Sequence, residues 1–372
     1  MFTVSKRDSL GRARAGTLRL AHGDVPTPAF MPVGTHAAVK GLTPDQLLDA
    51  GTSLLLCNAF HLSLRPGEDL IRRLGGLHAF MGWRGPILTD SGGYQVFSLG
   101  AMCELDDDGA RFRSPVDGSR VAFTPERVVA IQEALGVDIM MPLDQPAGWP
   151  VEEDAARAAL RRSLDWLRRS IRAKTTDQVL FGICHGSVFH DVRREGTAQV
   201  LESGVPGLAI GGLAVGEGRD LLLQGLDYAL RGVPPQYPVY LMGVGTPSDI
   251  VEAIDRGVDM FDCVLPTRNG RTGWAWTSEG VLRIRNASFR EDPRPLDPAC
   301  DGPCCRVSRG YLRHLFAENE MLGPALISWH NIRHYQALVR GAREAILDGR
   351  WTSYRLQVLD RARRIVGAAG KR

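Results

Sequence analysis

No apolar run in this 372-residue chain is long enough to cross a bilayer, which argues against a membrane-spanning helix. The opening residues Met1-Phe2-Thr3-Val4-Ser5-Lys6-Arg7 lack the apolar core that follows the charges of a signal peptide, so a cytoplasmic protein without membrane attachment is expected. Internal repeats and low-complexity segments are missing as well. A strong charge imbalance is also absent: a formal charge of +3 does not by itself call for a nucleic-acid partner. The charge is uneven, however. From Arg333 to Arg372 there are ten Lys/Arg against three acidic residues (Glu344, Asp348, Asp360), a basic end that either meets phosphates or forms a solvated helix face. The seven cysteines are odd in number, and Cys57, Cys103, Cys184 and Cys263 are scattered through apolar segments as buried thiols would be, so no disulfide framework is indicated.

What is present is the composition of a globular protein, 44% apolar and 23% charged, with ample material for a large core. Short apolar or β-branched runs alternate with helix-like stretches, the pattern of a parallel sheet. The predicted strands are Ala29 to Val33, Ser53 to Cys57, Pro86 to Thr89, Val137 to Leu143, Val179 to Cys184, Gly207 to Ile210, Pro238 to Met242 and Val258 to Phe261. Predicted helices include Pro44 to Ala50, Pro125 to Leu135 and Glu152 to Arg172, each with a start signal or one apolar face. Eight such strands fit an α/β fold closed into a (β/α)8 barrel, with an open doubly wound sheet as the alternative. We read residues 1–372 as one barrel domain. Two insertions interrupt its rhythm: a β-hairpin excursion from Cys103 to Phe123, and a cysteine-bearing segment from Cys300 to His330.

Polar groups follow the strands: Asn58, Asp90, Asp144, His185, Gly211-Gly212, Gly243 and Asp262 each sit just past an apolar run. Barrel active sites are built from those carboxyl ends. Asp262 lies in Gly257-Val258-Asp259-Met260-Phe261-Asp262-Cys263, a few residues before Arg268 and Arg271, and a carboxylate near cations suits an anionic substrate. Asp90 precedes Ser91-Gly92-Gly93-Tyr94-Gln95, where glycines admit a ligand and Tyr94 offers a stacking face; an Asx-turn is the plainer role. Asp144 could accept two N–H groups from a planar base, or simply cap a helix. Gly211 to Glu217 is a glycine-rich loop that either exposes bare backbone to a flat ligand or makes an ordinary turn. Two carboxylates in one pocket can break a glycosidic bond, one attacking the anomeric carbon and the other protonating the leaving group. A covalent glycosyl-enzyme intermediate can then be intercepted by water or by another nucleophile.

Cys300-Asp301-Gly302-Pro303-Cys304-Cys305 and His330 supply the ligand types of a structural zinc site. The spacing is not a regular C-x2-C. Adjacent Cys304 and Cys305 cannot point the same way from one extended segment, so only one of them binds unless the chain turns locally.

The segments Thr89 to Val96, Phe112 to Arg120, Gly211 to Glu217, Met260 to Arg271 and Ser308 through Asn331 together resemble the bacterial tRNA-guanine transglycosylases, also called queuine tRNA-ribosyltransferases. The resemblance spans nearly the whole chain. It implies a homodimeric (β/α)8 barrel with a zinc-binding subdomain, here residues 300–331, that exchanges the wobble guanine of tRNA for a 7-substituted deazaguanine such as preQ1 or queuine. By motif position Asp262 would be the nucleophile and Asp90 the general acid/base. Asp144 would hold the base edge, Gly212 and Leu213 would offer backbone groups opposite, and Tyr94 and Met242 would sandwich the ring. Arg268 and Arg271 would contact the anticodon loop, and Glu217 would steady the base-selecting loop.

Three departures from the family pattern bear on the site. His185 stands where the bacterial motif has glutamine, Gln145-Pro146 stands where it has Glu-Cys, and Gly302 replaces the middle cysteine of C-x-C-x-x-C. The first two put the identity of the incoming base in question; the third leaves Cys304 or Cys305 to supply the missing thiolate. A non-catalytic tRNA-binding partner of the same fold, and a hydrolase of free nucleosides, are the competing readings.

Overall fold

A computed structural model describes residues 1–98, 100 and 103–366; Lys371 and Arg372 of the basic end lie outside them. The chain opens with a three-stranded antiparallel sheet, β1 (Phe2–Arg7), β2 (Arg14–Leu20) and β3 (Gly23–Thr27). Then come the parallel strands β4 (Ala29–Gly34), β5 (Leu55–Asn58) and β6 (Ile87–Asp90). An antiparallel excursion follows, β7 (Cys103–Leu105), β8 (Ala110–Arg113) and β9 (Arg120–Phe123). The parallel set resumes with β10 (Ile139–Met140), β11 (Val179–Leu180), β12 (Gly182–Cys184), β13 (Leu208–Ile210), β14 (Val239–Leu241) and β15 (Met260–Cys263). A hairpin, β16 (Trp274–Thr277) and β17 (Gly280–Arg283), and the short β18 (Ile365–Val366) complete the strands described.

The parallel strands run in the order β11-β10-β6-β5-β4-β15-β14-β13-β12. The two ends of that order are one stretch of chain. Phe181, between β11 and β12, donates its N–H to the carbonyl of Met140 at 3.1 Å, and Gly182 donates to Gly207 at 3.0 Å, so the same run pairs with both sides and closes the barrel. The barrel expectation holds and the open sheet does not. One predicted strand is shorter than expected: Val137 to Leu143 pairs as a ladder only at Ile139–Met140, because Met141 bonds instead to the side-chain oxygen of buried Gln132. The predicted hairpin carries a third strand.

Strand periodicity sorts the core. Met31, Leu56, Leu88, Ile139, Met141, Ile183, Ala209, Tyr240 and Met260 point inward and fill the barrel, closed at its floor by Leu18 and Val25 of the N-terminal sheet. Phe30, Cys184, Leu208, Ile210, Leu241 and Phe261 point outward against the helices. The helix Glu153–Ala173 buries Ala156, Ala159, Leu160, Ser163, Leu164, Trp166, Leu167 and Ser170 on one face, as its spacing requires. Thr43 and Thr124 each accept from an N3 amide and cap Pro44–Asp49 and Pro125–Leu135, with proline at the first helical turn. No helix among the described residues is long and apolar enough to cross a membrane.

Candidate active site

Because inward and outward side chains alternate up to the last residue of each strand, the residue that ends β6 and the third residue of β15 bring Asp90 and Asp262 to the same mouth. They line one cavity of about 350 Å³ together with Tyr94, Asp144, Pro146, His185, Gly212, Leu213 and Met242. All eight residues that the sequence assigned to catalysis or base binding therefore converge. A second cavity of about 360 Å³ lies between β16, the long helix and the C-terminal helix, lined by Trp276, His334, Arg340 and Tyr354, but it joins no pair of carboxylates.

The two carboxylates are held differently. Asp262 Oδ1 accepts from Tyr240 Oη at 2.7 Å and from the Gly243 amide at 2.7 Å. Burial raises its pKa, opposed by those two donors. Asp90 accepts from the Ala59 amide at 3.1 Å, from Gln95 Nε2 at 3.0 Å and from Asn58 Nδ2. Burial pushes its pKa up to about 7 in spite of those donors, with the charge of Asp262 adding to the rise. A carboxyl group that titrates near neutrality is suited to give and take a proton. Burial and the Asp262 charge push the neighbouring thiol of Cys263 up to about 12, which favours its protonated form.

Asp144 stands on the opposite wall, accepting from Ser91 Oγ at 2.8 Å and lying 2.9 Å from His185 Nε2. Gly93 is fixed by this contact, since a Cβ there would come within 2.2 Å of Asp144 Oδ1. Across the slot, Glu217 accepts the Ala214 and Val215 amides at 2.5 and 2.9 Å, holding Ala214 at a φ of 61°. Tyr94 is 62% exposed at the rim, a free ring face at the cavity entrance.

One positioning residue escaped the sequence reading. Arg193, fully buried on the helix His190–Glu202, donates to the carbonyls of Ser187 at 2.7 Å, Gly211 at 2.8 Å and Gly212 at 3.0 Å, fixing the glycine loop from behind. A lone arginine in a helical pattern reads as a solvated face, and only the unpaired carbonyls of a glycine turn nearby hint otherwise.

Arg268 and Arg271 do not line the cavity and do not pair with Asp262. They are exposed on the helix Leu265–Thr272 that leaves β15, and among the described residues they form no ion pair. Gly270 seats that helix on the long helix Leu322–Leu347, where a Cβ would come within 2.4 Å of Ser328 Oγ.

Cys300, Cys304, Cys305 and His330 bring their ligand atoms within 4.8 Å of one another. The sulfurs of Cys300 and Cys304 are 3.8 Å apart, those of Cys304 and Cys305 3.5 Å, and Cys304 Sγ lies 3.5 Å from His330 Nδ1. Tetrahedral zinc with bonds of about 2.3 Å to sulfur and about 2.0 Å to nitrogen sets such edges at about 3.8 and about 3.5 Å. The donor set therefore fits a zinc-like ion. His330 Nε2 lies 2.8 Å from the Trp276 carbonyl, which orients Nδ1 toward the thiols. Both adjacent cysteines reach the cluster, because Pro303–Cys305 is a 3-10 turn and not an extended segment. The glycine at 302 has a packing cause: a Cβ there would fall 2.0 Å from the Trp329 ring, so no cysteine fits, and Cys304 takes the place.

A closed parallel barrel with titratable groups gathered at the carboxyl ends of its strands defines a (β/α)8-barrel enzyme. A family model described as Queuine tRNA-ribosyltransferase matches residues 8–364. The chain is 52% identical over 358 residues to the queuine tRNA-ribosyltransferase of Caulobacter vibrioides, covering 95% of this chain and 96% of that protein. It is 51% identical over 352 residues to that of Granulibacter bethesdensis, covering 94% and 93%, and 49% identical over 355 residues to one from Thermus thermophilus, covering 95% and 92%. The chain belongs to the queuine tRNA-ribosyltransferase family.

Proposed function

We propose that the protein is a tRNA-guanine transglycosylase: it replaces the wobble guanine of tRNA with a 7-substituted 7-deazaguanine, one N-glycoside for another, with no external energy source. The observation that carries this reading is the pair of unlike carboxylates in one cavity, Asp262 and Asp90. Asp262 attacks C1′ of the ribose while Asp90 protonates the departing guanine, leaving a ribosyl ester on Asp262. The incoming base then displaces Asp262 and gives its proton to Asp90.

The wobble nucleotide must be splayed from the anticodon stack to reach this depth. Tyr94 and Met242 sandwich the ring, Asp144 accepts from its N–H edge, and Gly212, Leu213 and His185 meet the other side. Arg268 and Arg271, exposed just beyond Asp262, take the flanking phosphates of the anticodon loop. Zinc at Cys300, Cys304, Cys305 and His330 pins the cysteine-bearing turn at Pro303–Cys305 to the long helix Leu322–Leu347. The protein works in the cytoplasm, and a homodimer is supported by the exposed Tyr311, Met321 and Leu322 within the segment 300–331.

The test is incorporation of labelled guanine into tRNA, with a covalent RNA adduct trapped on denaturation. An Asp262→Ala variant that incorporates guanine as fast as the parent would end this reading. Competition between guanine, the aminomethyl deazaguanine and queuine identifies the physiological base, on which Pro146 and His185 bear most directly.

A further inference from the structure

His185 is 1% exposed, and its two ring nitrogens have unequal fates. Nε2 lies 2.9 Å from Asp144 Oδ2, while Nδ1 is buried with no hydrogen-bond partner. An ionised carboxylate has no proton to give, so the hydrogen between them sits on Nε2. The neutral ring then has only a lone pair at Nδ1. That nitrogen faces the bare glycine wall: a Cβ on Gly212 would stand 3.0 Å from Nδ1, and one on Gly211 2.8 Å from Cε1.

Guanine and its 7-deaza relatives carry a carbonyl oxygen on the edge next to their N–H donors. With Asp144 taking the donors, the carbonyl falls on the His185 side, and an acceptor would meet an acceptor. We infer that His185 selects the base as an imidazolium, taking up one proton from solvent when the base enters. Nδ1–H then donates to the carbonyl while Nε2–H stays on Asp144. The proton returns to solvent when the base leaves. This rests on the base-exchange reading above, and it makes base affinity depend on pH in a way that a glutamine amide, which donates without titrating, would not.

The charged and titratable groups around the ring are few. Asp144 touches it from the end of the β10 run. Arg193 approaches from the helix His190–Glu202, with its guanidinium bound by the carbonyls of Cys184, Ser187, Gly211 and Gly212. Glu217, at the far end of the glycine loop, is occupied by the Ala214 and Val215 amides. Asp90, on the same cavity, titrates near 7 in its own right and must be separated from His185 by experiment.

The KM for guanine in tRNA exchange should be measured from about pH 6 to about pH 8.5 for the parent and for His185→Gln. The parent KM is expected to rise on the alkaline side with a slope approaching tenfold per pH unit, the signature of one linked proton. The slope due to His185 disappears in the glutamine variant, and any slope common to both belongs to Asp90. A parent KM independent of pH, or the same slope in both proteins, overturns the inference. Should the variant fail to fold, calorimetric titration of the parent with guanine in two buffers of different ionisation enthalpy counts the protons directly. About one taken up supports the inference and none overturns it. Proton-coupled guanine binding without exchange into tRNA would remove the exchange reading and leave this one standing, whereas no guanine binding removes both.

Discussion

The two ends of the barrel carry the same residue type in opposite circumstances. At the mouth, Asp90 and Asp262 are half-buried with no cation in contact, and desolvation drives both upward, Asp90 to about 7. At the floor, Asp259 is gripped by Arg14, Nε to Oδ1 at 2.9 Å and Nη2 to Oδ2 at 2.5 Å, and also accepts the Val239 amide at 2.8 Å. Asp138 accepts the amides of His22 and Ile87, both at 2.9 Å, and lies 3.0 and 3.2 Å from the imidazoles of His22 and His78. Burial tends to raise Asp138, but those donors outweigh it and hold its carboxyl below the usual value. Burial raises Asp259 as well, opposed by Arg14 and the Val239 amide, so what sets it apart from the mouth pair is the guanidinium that compensates its charge and ties two elements together. The floor aspartates join the N-terminal sheet and the strand starts; the mouth aspartates take donors only from neighbouring strand ends and loops, Asp90 from Asn58, Ala59 and Gln95 and Asp262 from Tyr240 and Gly243, and no cation.

Mutation should separate these roles by readout. Asp262→Ala is expected to reduce guanine exchange by about 10⁴-fold or more while leaving the urea midpoint close to that of the parent, because in the proposed mechanism it removes the group that attacks the reacting carbon, and it relieves desolvated charge. Asp259→Ala should do the reverse. It strands the Arg14 guanidinium in the interior, a loss of about 3–5 kcal/mol in unfolding free energy, while kcat of the molecules that remain folded changes little. If Asp259→Ala lost activity without loss of stability, the division between mouth and floor would fail.

The mouth was more legible than the floor, for a geometric reason. Asp90, Asp144, His185 and Asp262 each follow an apolar run, so the break from apolar to polar marks them and barrel topology gathers them. Asp138 and Asp259 lie at the starts of the runs Val137 to Leu143 and Val258 to Phe261, where a charged residue is indistinguishable from the end of the preceding loop. The N-terminal sheet was equally quiet. Arg14 to Leu20 mixes buried Arg14 and Leu18 with exposed Arg19 and gives no regular alternation. Arg193 was invisible because its partners are backbone carbonyls. The turn that lets both Cys304 and Cys305 reach one point was foreshadowed by Gly302-Pro303, but the reason for the glycine, the Trp329 ring, is a contact across the fold that no local pattern encodes.

The pH dependence of exchange offers a sharper cut than activity alone. In the proposed mechanism Asp90 carries a proton to release guanine, and burial pushes its carboxyl up to about 7, so single-turnover release should fall as pH rises through about 7. Asp90→Asn should lower the rate about 10²- to 10⁴-fold and abolish that alkaline limb. The same raised value carries a stability consequence. Between the ordinary carboxyl value of 3.8 and about 7 the folded state binds the proton and the unfolded state does not, so this contribution is full below that window and is lost as pH rises through it. Removing the cluster metal with a chelator should lower the melting temperature without moving the alkaline limb, since the limb belongs to the mouth.

The smallest expected effect tests the floor. His78→Ala takes one donor from Asp138 and leaves three, a cost of about 1–2 kcal/mol in unfolding free energy. The sign with pH is opposite to that of Asp90. Asp138 is held below its usual value of 3.8, so its contribution is present above that value and is lost as pH falls through the lower folded-state value. Weakening the donor set moves the folded-state value up, and acid unfolding of His78→Ala, followed by circular dichroism, should begin at a higher pH than in the parent. The pH profile of guanine exchange at neutral and alkaline pH should remain unchanged. A shift in that profile would mean that Asp138, at the opposite end of the barrel from the substrate, communicates with Asp90, and the two ends could no longer be treated as one part for chemistry and one for cohesion.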